Sequence, residues 1–221
     1  MGYKYEAVFF DFDGTIADTA KGIYASVDYA SDAMNLERTD EAGHEYFVGP
    51  PLTESFEVIF GLHGEDVVTA IKKYREYYVQ GGMFKLEFYP GILSFLDELK
   101  KAGIKTAVCS NKPSVYVNKI LENYDIKDKF DVISCPINDT ADETKQVMIT
   151  NAYKALNVDK SKVLMLGDRY LDMEGAVSAG VDGCGAAYGY GTPEELTGAG
   201  AKYIAYSVND VKAIVFSQED K

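Results

Sequence analysis

The chain has 221 residues and a formal net charge of −13 at pH 7, a length that fits one domain with an insertion, or two small domains, and that can bury a substantial core. So acidic a chain has no basic surface with which to displace counterions from a nucleic-acid backbone, and no apolar run approaches the length of a membrane span, so nucleic acid and membrane are both excluded as expected partners. Cys109, Cys135 and Cys184 are odd in number, widely spaced and set in apolar surroundings; they read as buried free thiols, and with an N-terminus lacking a signal peptide's apolar core they predict a cytoplasmic address.

The first element is Ala7 to Phe10, whose unbroken apolar run suits a strand covered on both faces of a parallel sheet. It stops abruptly at Asp11-Phe12-Asp13-Gly14-Thr15. Ligands of parallel sheets sit beyond the carboxyl ends of the strands, which makes Asp11 and Asp13 candidate site residues. Gly14 permits a sharp turn and a close backbone approach, and its amide with those of its neighbours can face an anion such as phosphate. Alone, the pentapeptide would also pass for a solvated turn. Its weight comes from three further polar signals downstream.

Ile23, Val27, Ala30 and Met34 recur at helical spacing, predicting a helix that ends near Asn35. Then come the rigid turn Phe47-Val48-Gly49-Pro50-Pro51-Leu52, a helix from Thr53 to Phe60 and another from Glu65 to Val79, ended by Gly81-Gly82. With no strand evident up to about Phe88, residues 18–88 read as an all-helical cap inserted between the first two strands of an α/β core formed by residues 1–17 and 89–221. Tyr89-Pro90-Gly91 has the turn chemistry of a hinge, so the cap is expected to close over the strand ends. The aromatic residues Tyr46, Phe47, Tyr74, Tyr77 and Tyr78 read first as packing.

The core resumes with an amphipathic helix from Gly91 to Ala102 and a second strand, Ile104 to Cys109, which ends in Ser110, Asn111 and Lys112 before Pro113 opens a helix to Tyr124. Phe130 to Ser134 is the next strand, followed by a polar loop, Asn138 to Thr144, and a helix with Lys145 in its first turn. The helix dipole disfavours a lysine there, which hints at a purpose. Val163 to Leu166 is a strand ending in Gly167-Asp168, with Asp172 four residues further on, a spacing that brings the two side chains together on a helix. Gly183 to Ala187, a short helix opened by Thr192-Pro193-Glu194-Glu195, and the edge strand Tyr203 to Tyr206 complete the pattern; the tail 218–221 is expected to fray. Strands alternating with helices predict an α/β fold, a three-layer Rossmann-like parallel sheet, in which these strand ends converge.

Asp11, Asp13, Asp168 and Asp172 cannot all stay ionised together without a positive partner. A hard divalent cation with oxygen ligands supplies one, Mg²⁺ suiting a site that also takes substrate phosphate, and Lys145 would add to it. In these four signals, in this order, the chain resembles the haloacid dehalogenase superfamily of phosphatases. The resemblance implies that Asp11 attacks phosphorus to form an aspartyl-phosphate and that Asp13 is the general acid and base. It implies that Ser110 with Asn111 holds phosphate, that Lys145 neutralises it, and that Mg²⁺ binds Asp168, the Asp11 carboxylate and the Asp13 backbone carbonyl, with Asp172 an outer or alternate ligand. Gln146 stands where relatives often have proline after the lysine, which leaves Lys154, Lys160 and Lys162 as alternatives to Lys145.

The insertion, with Gly49-Pro50-Pro51-Leu52 and Ser55-Phe56, is similar to the cap of phosphoglycolate phosphatase-like and 5′-nucleotidase-like members. That similarity implies a small phosphorylated metabolite as substrate, with Phe47, Gly49 and Phe56 the cap candidates for selecting it. A sugar-phosphate mutase would share every site residue, and a receiver-like domain holding phosphate without turnover is disfavoured by Asp13. Monomer and dimer both remain open.

Overall fold

Ala7–Phe10 forms β1, and all four residues are fully buried, as an apolar run covered on both faces should be. The structure is a computed structural model that describes residues 3–138 and 143–217. Along the chain β1 is followed by β2 (Ala17–Asp18), α1 (Ala20–Ala33), α2 (Glu41–Tyr46), α3 (Leu52–Phe60), α4 (Glu65–Val79), β3 (Glu87–Phe88), α5 (Ile92–Ala102), β4 (Lys105–Cys109) and α6 (Ser114–Asn123). Then come β5 (Val132–Ser134), α7 (Lys145–Leu156), β6 (Val163–Gly167), α8 (Tyr170–Ala179), β7 (Asp182–Ala186), α9 (Pro193–Gly198), β8 (Tyr203–Ala205) and α10 (Val208–Val215). The chain divides into two compact units, one made of the residues up to Ala17 together with those from Phe88 onward, the other of Asp18–Glu87. Among the described residues no helix is long and apolar enough to cross a membrane.

The first unit holds a six-stranded sheet in the order β5-β4-β1-β6-β7-β8, parallel throughout. Successive side chains of β1 point to opposite faces. Phe9 packs with Ala107, Cys109 and Met165 against Met148, Ile149 and Ala152 of α7 and Ala176 of α8, while Phe10 meets Phe95 of α5 and Phe130 edge-on at 6.1 and 6.2 Å. Burying one such side chain is worth roughly 1.5–3 kcal/mol, so β1 anchors both layers. The chain winds from β1 to β4 on one side and to β6 on the other, placing the reversal of strand order at β1, where such sheets bind ligands. In register, Phe10 lies opposite Val108 and Leu166, so Asp11, Ser110 and Asp168 all follow at one edge.

The second unit is helical. Ile23, Val27 and Ala30 of α1 and Val67, Ala70, Tyr74 and Tyr78 of α4 are buried, and Phe47, Phe56 and Phe60 form an aromatic cluster with centroids 4.9 to 6.1 Å apart. The helix α10 was not expected, and three further features depart from expectation. α2 is six residues long, too short and polar to show periodicity, and forms because Asp40 caps it by accepting from the Gly43 amide at 2.9 Å. Two-residue strands, β2 and β3, pair with each other where the chain passes between the units, so the stretch to Phe88 is not free of strands. Cys135 is only half-buried, although all three cysteines are free as expected. The tail 218–221, expected to fray, and residues 139–142 of the loop before α7 lie outside the described residues.

A Cβ on Gly22 of α1 would stand 2.1 Å from the Gly82 carbonyl oxygen. Ala in place of Gly ordinarily stabilises a helix by about 1 kcal/mol, but here the added methyl group meets backbone. Gly22→Ala is expected instead to destabilise by about 1–3 kcal/mol in urea denaturation; an unchanged or raised midpoint would mean that the two segments can separate without cost.

Candidate active site

The edge where β1 ends is built by turns that only glycine allows. The Asp11 amide continues the ladder to Leu166 O at 2.9 Å, and the chain then folds back, with the Gly14 amide on Ala17 O at 2.9 Å and the Ile16 amide on Phe12 O at 3.0 Å. Gly14 has φ +79, and a Cβ on it would lie 2.0 Å from Asp168 Oδ2, so both its conformation and its closeness to a carboxylate exclude a side chain. Gly189 and Gly191, after β7, are equally confined: their Cβ atoms would fall 2.5 Å from Asp168 Cβ and 2.1 Å from Asp168 O. Tyr188-Gly189-Tyr190-Gly191 thus wraps Asp168, a role its sequence pattern did not declare.

Asp168 follows β6 and is fully buried. Its Oδ1 accepts from Thr15 Oγ1 and its Oδ2 from the Tyr190 amide, both at 3.0 Å. Asp172, in the first turn of α8, accepts from the Arg169 amide at 3.1 Å through Oδ2. Its Oδ1 lies 2.7 Å from Lys145 Nζ as an ion pair but accepts no well-aligned hydrogen bond. One carboxylate oxygen each from Asp11, Asp168 and Asp172 falls within 4.8 Å of the others.

Lys145 opens α7, which Thr144 caps. Its ammonium donates to Asp11 Oδ1 at 2.9 Å and to the Cys109 carbonyl at 3.0 Å, and pairs by charge with Asp172 Oδ1 at 2.7 Å. α8 approaches so closely that a Cβ on Gly175 would lie 2.6 Å from Lys145 Cβ. Gln146, the next residue, donates to Ser178 O at 3.0 Å. The alternatives lie elsewhere: Lys154 and Lys160 are exposed, and Lys162 precedes β6 at the opposite edge of the sheet.

Burial pushes the Asp11 carboxyl above its ordinary range, Lys145 pulling it down and Asp172 pushing it further up. Burial, then Asp172 and Asp11, raise Asp168 well above its ordinary value. For Lys145 burial works downward, yet Asp11 and Asp172 more than offset it and hold the ammonium charged. Three buried carboxylates against one ammonium leave the cluster short of positive charge, and one carboxylate oxygen lacks a hydrogen bond. An all-oxygen donor set of this kind fits a hard divalent cation.

Asp13 is separate from that cluster. Its Oδ2 lies 2.8 Å from Lys112 Nζ, both side chains being over nine-tenths buried. Ser110 is buried and close enough to Asp11 to favour its charged form, and its hydroxyl oxygen accepts from the Lys112 amide at 3.3 Å. Asn111 is half-buried beside it. In the helical unit, Phe47 and Phe56 are buried against each other, and Gly49 turns the chain with φ +104.

Residues 8–186 match the family described as haloacid dehalogenase-like hydrolase. The chain belongs to that family. It is 30% identical over 193 residues to a 5′-nucleotidase of Pseudomonas aeruginosa, with 87% of each chain covered. It is 28% identical over 217 residues to a phosphoglycolate phosphatase of Vibrio parahaemolyticus, covering 93% of this chain and 94% of that one. Among solved structures, a predicted phosphatase from Clostridium acetobutylicum is similar at a TM-score of 0.88 and 36% identity, over 95% of this chain and 97% of that one.

Replacing Lys145 by Met strands Asp11 and Asp172 beside Asp168 without compensation. Lys145→Met is expected to lose about 3–5 kcal/mol of unfolding free energy in metal-free buffer at pH 7.5, against no more than about 0.5 kcal/mol for Lys154→Met on the exposed side of α7. Equal, small losses in urea titrations would deny Lys145 its compensating role.

Proposed function

We propose that this phosphatase of the haloacid dehalogenase-like family hydrolyses a small phosphorylated metabolite in two steps, through an aspartyl-phosphate on Asp11 and with Mg²⁺ bound. The observation that carries the reading is a pair of buried aspartates one residue apart at the end of β1, each held by a different lysine: Asp11 by Lys145 and Asp13 by Lys112. Two such groups can do different work. In the first step a carboxylate oxygen of Asp11 bonds to phosphorus, the ester P–O bond breaks, and the departing oxygen takes a proton from the Asp13 carboxyl. In the second, Asp13 takes a proton from water as that water's oxygen attacks phosphorus. The P–O bond to Asp11 breaks, inorganic phosphate leaves, and both aspartates return to their starting states.

Asp11, Asp168 and the Asp13 backbone carbonyl, with Asp172 beside them, would hold Mg²⁺, which supplies the positive charge that lets a phosphate dianion enter a cluster of carboxylates. Lys145 adds its charge on the Asp11 side, while the Ser110 hydroxyl with Asn111 orients phosphate oxygens; the Gly14 amide, expected to join them, is given instead to Ala17 O at 2.9 Å. The likeness to proteins named 5′-nucleotidase and phosphoglycolate phosphatase supports a small, soluble phosphomonoester as substrate.

Intact-protein mass spectrometry tests the division of labour. Asp11→Asn should form no phosphate adduct, while Asp13→Asn should turn over alkyl esters roughly a hundred- to ten-thousand-fold more slowly. A phosphate adduct on Asp11→Asn would place the nucleophile elsewhere. Chelation should stop phosphate release and added Mg²⁺ should restore it; full activity in excess chelator would refute the metal.

A further inference from the structure

Lys112 is a buried lysine that takes no part in the bond changes of the two steps. Lysine is among the side chains least often fully buried, and a desolvated ammonium persists only where it is paired. Here it is paired with Asp13 Oδ2 at 2.8 Å, the two side chains being 6% and 9% exposed. Lys145 is already engaged, donating to Asp11 and the Cys109 carbonyl and pairing by charge with Asp172. A second aspartate therefore needs a second lysine.

The backbone that carries Lys112 is itself well held. Its amide donates to Ser110 Oγ at 3.3 Å; the next residue, Pro113, has φ −52 and caps α6, and the Ser114 amide donates to Pro136 O at 2.7 Å. Asp13 sits in the turn closed by the Gly14 amide on Ala17 O. Lys112 thus ties the loop after β4 to the loop after β1 through the Asp13 carboxylate. Turning that carboxylate about its own bonds is the motion this contact restrains.

We propose that Lys112 is the positioning residue for Asp13, gripping Oδ2 so that the carboxylate faces both the leaving oxygen and the attacking water. This rests on the acid-base role given to Asp13 above. Misplacing a catalytic group by about 1 Å costs roughly a hundredfold in rate, and the loss should depend on what is being asked of Asp13. An alkyl ester needs a proton from it to leave and a proton accepted by it to release phosphate. A dinitrophenyl ester leaves without help, so only the second step then depends on Asp13.

The experiment compares wild type, Lys112→Met and Lys112→Arg with Mg²⁺ present. For Lys112→Met, kcat on an alkyl phosphate should fall roughly a hundredfold with KM within about twofold. With 2,4-dinitrophenyl phosphate the variant should release about one equivalent of dinitrophenol in a burst and then turn over slowly, the phosphate adduct accumulating on Asp11. Lys112→Arg, which keeps a cation within reach of Oδ2, should recover most of the rate. A merely structural role would instead lower the burst and the melting temperature together, with no rescue by Arg, and would overturn the proposal. So would wild-type kinetics in Lys112→Met. Failure of the two-step reading looks different: Asp11→Asn would retain turnover whatever Lys112 does.

Discussion

The site depends on a balance of charge at one ammonium group. Lys145 Nζ touches the residue after β1, the last carbonyl of β4 and the first turn of α8, so three separate segments meet on a single positive charge. A lysine brought into such a place loses its hydration, and it stays charged because two carboxylates compensate the loss. The carboxylates in turn tolerate burial because the lysine is there, and neither half of the arrangement is stable alone. Asp168 is handled in another way. Its two oxygens are met by a threonine hydroxyl and a backbone amide, neutral donors that satisfy hydrogen bonding without removing the charge.

Space at this edge is reserved as carefully as charge. Gly14, Gly189 and Gly191 crowd around Asp168, Gly167 lies against Asp172, and Gly175 lies against Lys145; at each a Cβ would come within 2.6 Å of the neighbouring residue. Only Gly14 also has a positive φ, so at the others glycine serves closeness rather than conformation. Substitution there would act by pushing charged groups apart, and the acidic cluster would lose its geometry before the sheet lost its stability.

Much of this was legible in the chain itself, for a reason that lies in parallel sheets. A strand buried on both faces is apolar throughout, so the first polar residue after it marks the edge, and Asp11, Ser110 and Asp168 stand at those breaks. Lys145 could be picked out because a lysine in a first helical turn opposes the dipole. Lys112 was not singled out: a lysine just before a proline at a strand's end has the signature of an exposed turn, and only the fold brings it to Asp13. The Gly189 and Gly191 wrap escaped for the same reason, since their partner lies more than 20 positions earlier. α2 and α10 were missed because six and eight residues are too few for helical periodicity to stand out from loop composition.

The pairings at the site also have a bearing on how the chain reaches its native state. Lys145 and Asp11 are 134 residues apart, and Thr15 and Asp168 are 153. Contacts of such separation close late, because the entropy of the long intervening loop must be met before they form. During synthesis, β1 leaves the ribosome with its aspartates long before Lys145 or Asp172 exists. An incomplete chain therefore presents Asp11 and Asp13 to water as ordinary carboxylates. The partners of Asp13 and Asp11 arrive in turn, Lys112 first and then Lys145 and Asp172, so the charge cluster is complete only when α8 docks.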